Sequence, residues 1–404
     1  MLDHPTVGLG WVVVCLLMAI VLYLKSKGYL PVSLYGMLLG ATVTWGVNTI
    51  AGPDSDPLQF EPEQFMYILL PPIVLNSGLK FNLVEAQGTI GTSMVLAWFG
   101  TVGTALWVAL GLWTQSKVEP WIIAFWIGSI LSPTDPVGTL DQMAKLKEVY
   151  PIRLVLEHES LLNDAVAVML VHTAQRTWEL DKNMSKVETM EVIAVALGLT
   201  VAACIIGGIT SLTLCHINRT DPIFVLVVGM LIFSICESIG ASGIIGLFTY
   251  GAVLAHKATT LEHTKRTVQY LADFSEIYVY ITMGGVVTQS SFTYWGHGFD
   301  AILATFVGRV VNVVFFTILA RIGGVRWNIP ETIFMSVCGM RGAVSLALAI
   351  SAPIEFRTMF VTITVMEVLF SMVFTSIAAN WCMEHLNVFP SERISDSRCD
   401  GAAR

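Results

Sequence analysis

Apolar runs long enough to cross about 30 Å of hydrocarbon recur along nearly the whole chain. Nothing constrains the fold more, because in lipid every backbone polar group must be satisfied within the protein. Thirteen such segments lie at roughly 8–24, 30–50, 64–77, 88–113, 120–142, 154–175, 190–215, 222–239, 243–256, 268–289, 299–320, 330–351 and 359–384. Several are short or interrupted, so hydropathy alone allows eleven to thirteen helices. With 54% hydrophobic and 13% charged residues, against about 25% charged in soluble proteins, the chain has no room for a large soluble domain. The sequence predicts an all-α polytopic membrane protein with about thirteen transmembrane helices.

Basic residues orient these segments. Trp11–Leu24 has no basic stretch before it, while Lys25 and Lys27 follow it. That flank predicts a first span with its N-terminus outside, not a cleaved signal peptide. Thirteen spans then place only Lys117, Arg176, Lys182, Lys186 and Arg357 outside, leave Arg309 and Arg341 within spans, and put the other fifteen of the 22 Lys and Arg residues inside. The acidic loop holding Asp54, Asp56, Glu61 and Glu63 falls outside, as does a glycosylation sequon at Asn183. A second sequon at Asn218 falls inside, where it should be silent.

An odd number of spans permits two inverted six-helix repeats, at about 8–175 and 222–384, joined by a linker helix at about 190–215. Residues 1–384 then form one transmembrane domain and 385–404 a short cytosolic tail. Inverted repeats are common in secondary transporters, and interrupted segments at matching positions point to the binding site. Span five carries Ser132-Pro133-Thr134-Asp135-Pro136-Val137-Gly138, and span twelve, its mate, carries Gly339-Met340-Arg341-Gly342. Proline and glycine should break both helices near mid-membrane. Two broken helices that cross bring together two partly positive N-ends and two partly negative C-ends. Asp135 can offset the first and Arg341 the second, and backbone carbonyls freed at the break, such as that of Thr134, can coordinate a cation.

The chemistry concentrates in span six, which opens Glu157-His158-Glu159-Ser160-Leu161-Leu162-Asn163-Asp164. A charge inside such a run costs about 2.5–3.5 kcal/mol on insertion scales. On a helix, Ser160 lies i,i+3 from Asn163 and i,i+4 from Asp164, so one flank presents hard oxygens suited to a small cation or a proton. Glu157 reads as a helix-start cap. Arg309, mid-span, needs a buried partner, and Glu159 is the first candidate for a structural pair. Glu276 is either a helix-start acid or a functional group. Glu237 reads as an interfacial acid, and His158 and His256 as capping or snorkelling groups. Glu367 lies 27 residues after Met340, much as Asp164 lies 29 after Asp135. It is close to the pseudo-symmetric counterpart of Asp164, with three open readings: a neutral hydrogen-bonded acid, a dimer contact or a gating contact.

These residues resemble the cation/proton antiporters of the sodium/proton exchanger type. The resemblance rests on Leu69-Leu70-Pro71-Pro72, Thr134-Asp135-Pro136-Val137, Glu159-Ser160-Leu161-Leu162-Asn163-Asp164-Ala165, Gly308-Arg309-Val310 and Gly339-Met340-Arg341-Gly342-Ala343. They occur in family order and cover about residues 10–385. The resemblance implies a homodimeric elevator transporter in which a core domain moves against a dimerisation domain. It implies that Asp164 binds cation and proton in turn, that Ser160, Thr134 and Asp135 complete a Na⁺ site, and that Glu159 pairs with Arg309. Asn163-Asp164, in place of two aspartates, implies electroneutral exchange. Asn76 departs from the pattern: plasma-membrane exchangers commonly place an acid there, whereas intracellular-type eukaryotic members often do not. Glu367 is a second departure. The short stretch after span thirteen, where animal exchangers carry a long regulatory tail, is a third.

The expected function is exchange of Na⁺, with K⁺ or Li⁺ as alternative cations, for H⁺ across a plasma membrane or endomembrane. The chain is not expected to be an enzyme, to hold a cofactor or to bind nucleic acid. It carries no P-loop, and its seven cysteines show neither metal-ligand nor disulfide spacing. Two rivals remain: an ion-coupled carrier of organic anions on a related fold, and a non-transporting sensor or scaffold.

Overall fold

A computed structural model describes residues 4–25, 32–51, 58, 62–81, 89–135, 143, 151–179, 186–217, 220–258, 261–287, 292–322, 328–386 and 388. Pro136, Val137 and Gly138 of the first break, the sequon asparagines Asn183 and Asn218, and nearly all of the tail lie outside them.

Among the described residues the fold is helical throughout, with no strand. Helices α1 (His4–Lys25) and α2 (Val32–Ala51) are followed by α3, which runs through Pro62–Gln64, a π-turn at Phe65–Leu69 and Leu70–Lys80. Helix α4 likewise joins Ile90–Val95 to Thr101–Thr114 through a π-turn at Leu96–Gly100. Then come α5 (Trp121–Leu131), α6 (Pro151–Glu179), α7 (Lys186–His216), α8 (Pro222–Ser238), α9 (Gly243–Lys257), α10 (Glu262–Val287) and α11 (Trp295–Ile322). The last three are α12 (Ile329–Val337), α13 (Ala343–Ile350) and α14 (Ile354–His385). Each apolar segment of the sequence overlaps one helix, except the twelfth, which is split into α12 and α13. In the fifth, α5 stops at Leu131, well inside the segment.

Among the described residues four helical stretches are long and apolar enough to cross a membrane unaided: Ile90–Thr114, Gly198–His216, Phe292–Leu319 and Ile354–His385. The others are shorter, less apolar or carry the charges of the site. Large apolar side chains such as Ile209, Phe315, Ile318 and Trp381 lie exposed on the outer faces. An apolar surface of that kind suits a bilayer rather than water.

Local signals set several helix starts. Asp221 accepts the N–H groups of Ile223 and Phe224, each at 3.1 Å, ahead of Pro222 at the first helical position of α8. Glu237 accepts the N–H of Gly243 at 2.8 Å and so caps α9.

The helices pack into two groups, with dense contacts inside each and few between them. The first holds α1, α2, α3, α7, α8, α9 and α10. The second holds α4, α5, α6, α11, α12, α13 and α14. Glycine sets the closest approach within the first group: a Cβ on Gly40 would lie 2.0 Å from the Ile281 carbonyl oxygen, and one on Gly284 would lie 2.3 Å from that of Met37. Backbones can meet this closely only where side chains are absent. In the second group Trp126 of α5, Trp178 of α6 and Phe356 and Phe360 of α14 stack edge to face, with Trp126 and Phe360 centroids 5.5 Å apart. Such pairs add about 0.5–1.5 kcal/mol beyond area burial.

Candidate functional site

Between the two groups lies a cavity of about 580 Å³. Its floor is the crossing where the stretch after α5 meets the break between α12 and α13. After Leu131 the chain leaves the helix through Pro133, Thr134 and Asp135; after Val337 it is non-helical as far as Gly342. The two stretches are tied by one backbone hydrogen bond, from Asp135 N–H to the Met340 carbonyl at 2.8 Å.

Helix α6 grips this crossing with the residues singled out in the sequence. The Ser160 hydroxyl donates to the Thr134 carbonyl. Asn163 Nδ2 donates to Thr134 Oγ1 at 2.7 Å. Two hydrogen bonds of about 0.5–1.5 kcal/mol each therefore hold one residue of the break. Ser160 still faces the cavity, but Asn163 is buried behind it and is not part of the lining. Asp164 lines the cavity, and among the described residues no hydrogen bond ties its carboxylate down.

Asp135 is placed differently. Its Oδ2 accepts the Tyr280 hydroxyl at 2.7 Å, and its carboxylate lies against Gly342, at the N-terminus of α13. An anion is favoured there by the unsatisfied N–H groups and the helix dipole. Asn76 (α3) and Tyr280 (α10) form the facing wall and belong to the other helix group. Toward its mouth the cavity is lined by Glu157, Asp273 and Glu276 together with Lys80 and Arg153, and by the ring of His158, which packs 4.7 Å from Phe81. His256 is exposed in the last turn of α9.

Behind the crossing, away from the cavity, sit the two buried arginines. Arg309 meets Glu159 in a two-pronged pair: Nη1 contacts Oε1, and Nη2 lies 3.1 Å from Oε2. Nη2 also reaches the Met335 carbonyl at 3.3 Å. Arg341 is fully buried. Its Nη1 donates to the Gly339 carbonyl at 3.0 Å, and its backbone N–H donates to Ser371 Oγ at 2.9 Å. Thr375 donates to the Val337 carbonyl at 3.1 Å. The carbonyls at the C-end of α12 are thus met by Arg309, Thr375 and Arg341. Glu367 is buried in α14 on the same side, which leaves it no surface for a dimer contact.

Nothing in the sequence singles out Tyr280, Ser371 or Thr375. Each is an ordinary polar residue inside an apolar span, and only the tertiary packing brings it to the crossing. Gly342 was visible as part of a motif, but not as the seat of the Asp135 carboxylate.

Asp164, Asp135, Ser160 and Thr134 line the cavity together at the crossing. Among the described residues no group of three His, Cys, Asp or Glu side chains is arranged to hold a metal ion. A helical, apolar chain in which a broken helix lies at the floor of a carboxylate-lined cavity is an architecture of membrane carriers.

The comparisons with known proteins name the family. The model of the sodium/hydrogen exchanger transmembrane region matches residues 12–385, and the chain belongs to that family. Sodium/hydrogen exchanger 3 of Triakis scyllium is 28% identical over 421 residues, covering 96% of this chain and 50% of that protein. Human sodium/hydrogen exchanger 8 is 26% identical over 400 residues, covering 89% of this chain and 67% of that protein. The chain spans about half the length of the first of these relatives. In fold it is similar to the sodium proton antiporter MjNhaP1 of Methanocaldococcus jannaschii, with a TM-score of 0.74 at 18% identity, covering 93% of this chain and 100% of that one.

Proposed function

We propose that the protein is a secondary antiporter that exchanges a monovalent cation for a proton, with Asp164 binding the two in turn. The observation that carries this reading is the Asp164 carboxylate itself. It faces a cavity beside the crossing, and among the described residues no structural hydrogen bond consumes it. A carboxylate that accepts either H⁺ or a cation couples the two fluxes by competition alone. With Asn163 rather than a second acid beside it, one proton trades for one cation and the cycle is electroneutral. Na⁺ is the substrate that the relatives' names favour, with K⁺ and Li⁺ as alternatives. The cation takes oxygens from Asp164, Asp135, Ser160 and Thr134, and Asn76 faces it without adding charge.

The topology follows from the basic residues: thirteen crossings in two inverted repeats, the N-terminus outside or luminal and the C-terminus cytosolic. The cavity mouth then opens to the cytosol, where exposed Lys80 and Gln269 lie. Access alternates by movement of the site-bearing helix group against the other, which in a homodimer stays with its partner. Few contacts join the two groups, which favours sliding as bodies over deformation of either.

Proton flux in proteoliposomes tests the reading, with Na⁺, K⁺ or Li⁺ added outside and the membrane potential either clamped or free. A cation-evoked flux indifferent to the clamp is expected. Flux that changes with the clamp overturns electroneutrality. No flux with any cation, from protein that is folded and dimeric, overturns antiport.

A further inference from the structure

Behind the crossing, a small cavity of about 20 Å³ lies between α11, α14 and the non-helical stretch before Gly342. Among the described residues, four buried polar atoms on the residues that line it have no hydrogen-bond partner: Thr305 Oγ1, Arg309 Nε, Arg341 Nε and Glu367 Oε2. Burying such an atom unsatisfied costs about 1–3 kcal/mol, and more if it is charged. Four on one cavity are not four separate accidents. They require a common partner.

The inventory of these atoms defines it. The two Nε–H groups can only donate, the carboxylate oxygen only accepts, and the hydroxyl can do either. A partner that accepts two hydrogen bonds and donates two satisfies all four at once. The space available is at the size of a single water molecule, for which roughly 10–15 Å³ suffices. Charge excludes the other small ligands. The Arg309 guanidinium is already neutralised by Glu159, and the Arg341 charge is opposed by that of Glu367. An anion would meet the Glu367 carboxylate, and a cation would meet two guanidinium N–H groups.

We propose that this cavity is the binding site of one water molecule, which accepts from Arg309 and Arg341 and donates to Glu367 and Thr305. Glu367 is thereby the counter-charge of Arg341 at one water's remove. The water joins α11, the second break and α14 into one polar cluster that continues through Arg309 to Glu159 on α6. All of these elements belong to the helix group that carries the site. The cluster therefore stiffens the moving body and takes no part in exchange. The inference holds whichever cation is transported.

The test is a structure of the full chain in lipid nanodiscs at a resolution that shows ordered water, with a parallel crystal soaked in bromide. One density peak within hydrogen-bonding distance of the four atoms, with no anomalous bromide signal, is expected. An empty cavity, a direct Arg341–Glu367 ion pair that closes it, or a bromide signal there overturns the proposal. Thermal unfolding of variants gives an independent readout. Glu367→Gln keeps an acceptor but loses the counter-charge of Arg341 and should unfold below wild type, whereas Glu367→Leu also strands both guanidinium groups and should unfold lower still. Thr305→Val removes one acceptor without changing shape and tests the site even if Glu367→Leu fails to fold. It should keep the water and lose a few degrees. Glu367→Leu or Thr305→Val at least as stable as wild type would show that no partner needs to be met there.

Discussion

The carboxylate of Asp135 sits against the α-carbon of Gly342, so closely that a Cβ on Gly342 would come within 2.2 Å of Asp135 Oδ2. Gly342 is extended, with φ −138°, so its backbone would accept any residue; contact with Asp135 is what demands glycine. This contact and the bond from Asp135 N–H to the Met340 carbonyl fix the two breaks against each other.

Gly342→Ala forces the Asp135 carboxylate off the N-terminus of α13. The strain is that of overpacking, about 1–3 kcal/mol, and the expected outcome is a lower melting temperature in detergent together with loss of cation-evoked proton flux. Wild-type stability and flux in this variant would mean that the crossing tolerates a displaced Asp135.

The Glu159–Arg309 pair predicts an asymmetry between single and double changes. Arg309→Ala leaves a buried carboxylate uncompensated, at a cost of about 3–5 kcal/mol, and should sharply reduce the yield of folded protein. Replacing both residues by apolar ones, Glu159→Leu with Arg309→Met, should recover much of that yield. Fluorescence-detected size exclusion measures both. If Arg309→Ala assembles normally, the pair does not hold α6 and α11 together.

Asp164→Asn keeps the shape of the cavity floor but removes the group that cation and proton share. Flux should vanish while the protein remains folded and assembled. Ligand that binds only the native state raises stability by mass action, by about 2.7 kcal/mol at a hundred times its dissociation constant. A Na⁺-dependent rise in melting temperature is therefore expected in wild type and should be absent in Asp164→Asn. Exchange that survives in the variant would move the coupling to another acid.

How much of this was legible in the sequence depends on the range of the interaction. The helices were visible because apolar length is a local property, and the two breaks were visible because proline and glycine act on their own backbone. Ser160, Asn163 and Asp164 could be grouped on one flank because i,i+3 and i,i+4 spacing is fixed by the helix. What they touch was not legible: Ser160 and Asn163 both bond Thr134, 26 and 29 residues away, which makes Asn163 a support of the break rather than a wall of the cavity. Glu367 could be set beside Asp164 only by its spacing from a break. Its surroundings were not legible: it is buried behind the crossing, away from the cavity that Asp164 lines. Tyr280 had no signal at all, since a tyrosine in an apolar span is usual and its partner lies 145 residues away.

Tyr280 also supplies a bond between the two helix groups. Its hydroxyl, on α10, donates to Asp135 at the crossing over 2.7 Å. A hydrogen bond to a charged group contributes about 1.5–3 kcal/mol. If the site-bearing group slides, this bond cannot follow, because its two ends belong to different bodies. It therefore favours the arrangement with the cavity open toward Gln269. Tyr280→Phe removes the hydroxyl alone, and the population should shift away from this arrangement. A cysteine placed by Gln269→Cys, in a background without reactive native cysteines, reports the shift as a slower reaction with a membrane-impermeant thiol reagent. The expected slowing is about tenfold for each 1.4 kcal/mol lost, once the open state ceases to dominate. Equal labelling rates with and without the Tyr280 hydroxyl would mean that the bond persists through the cycle, so that α10 moves with the crossing and not against it.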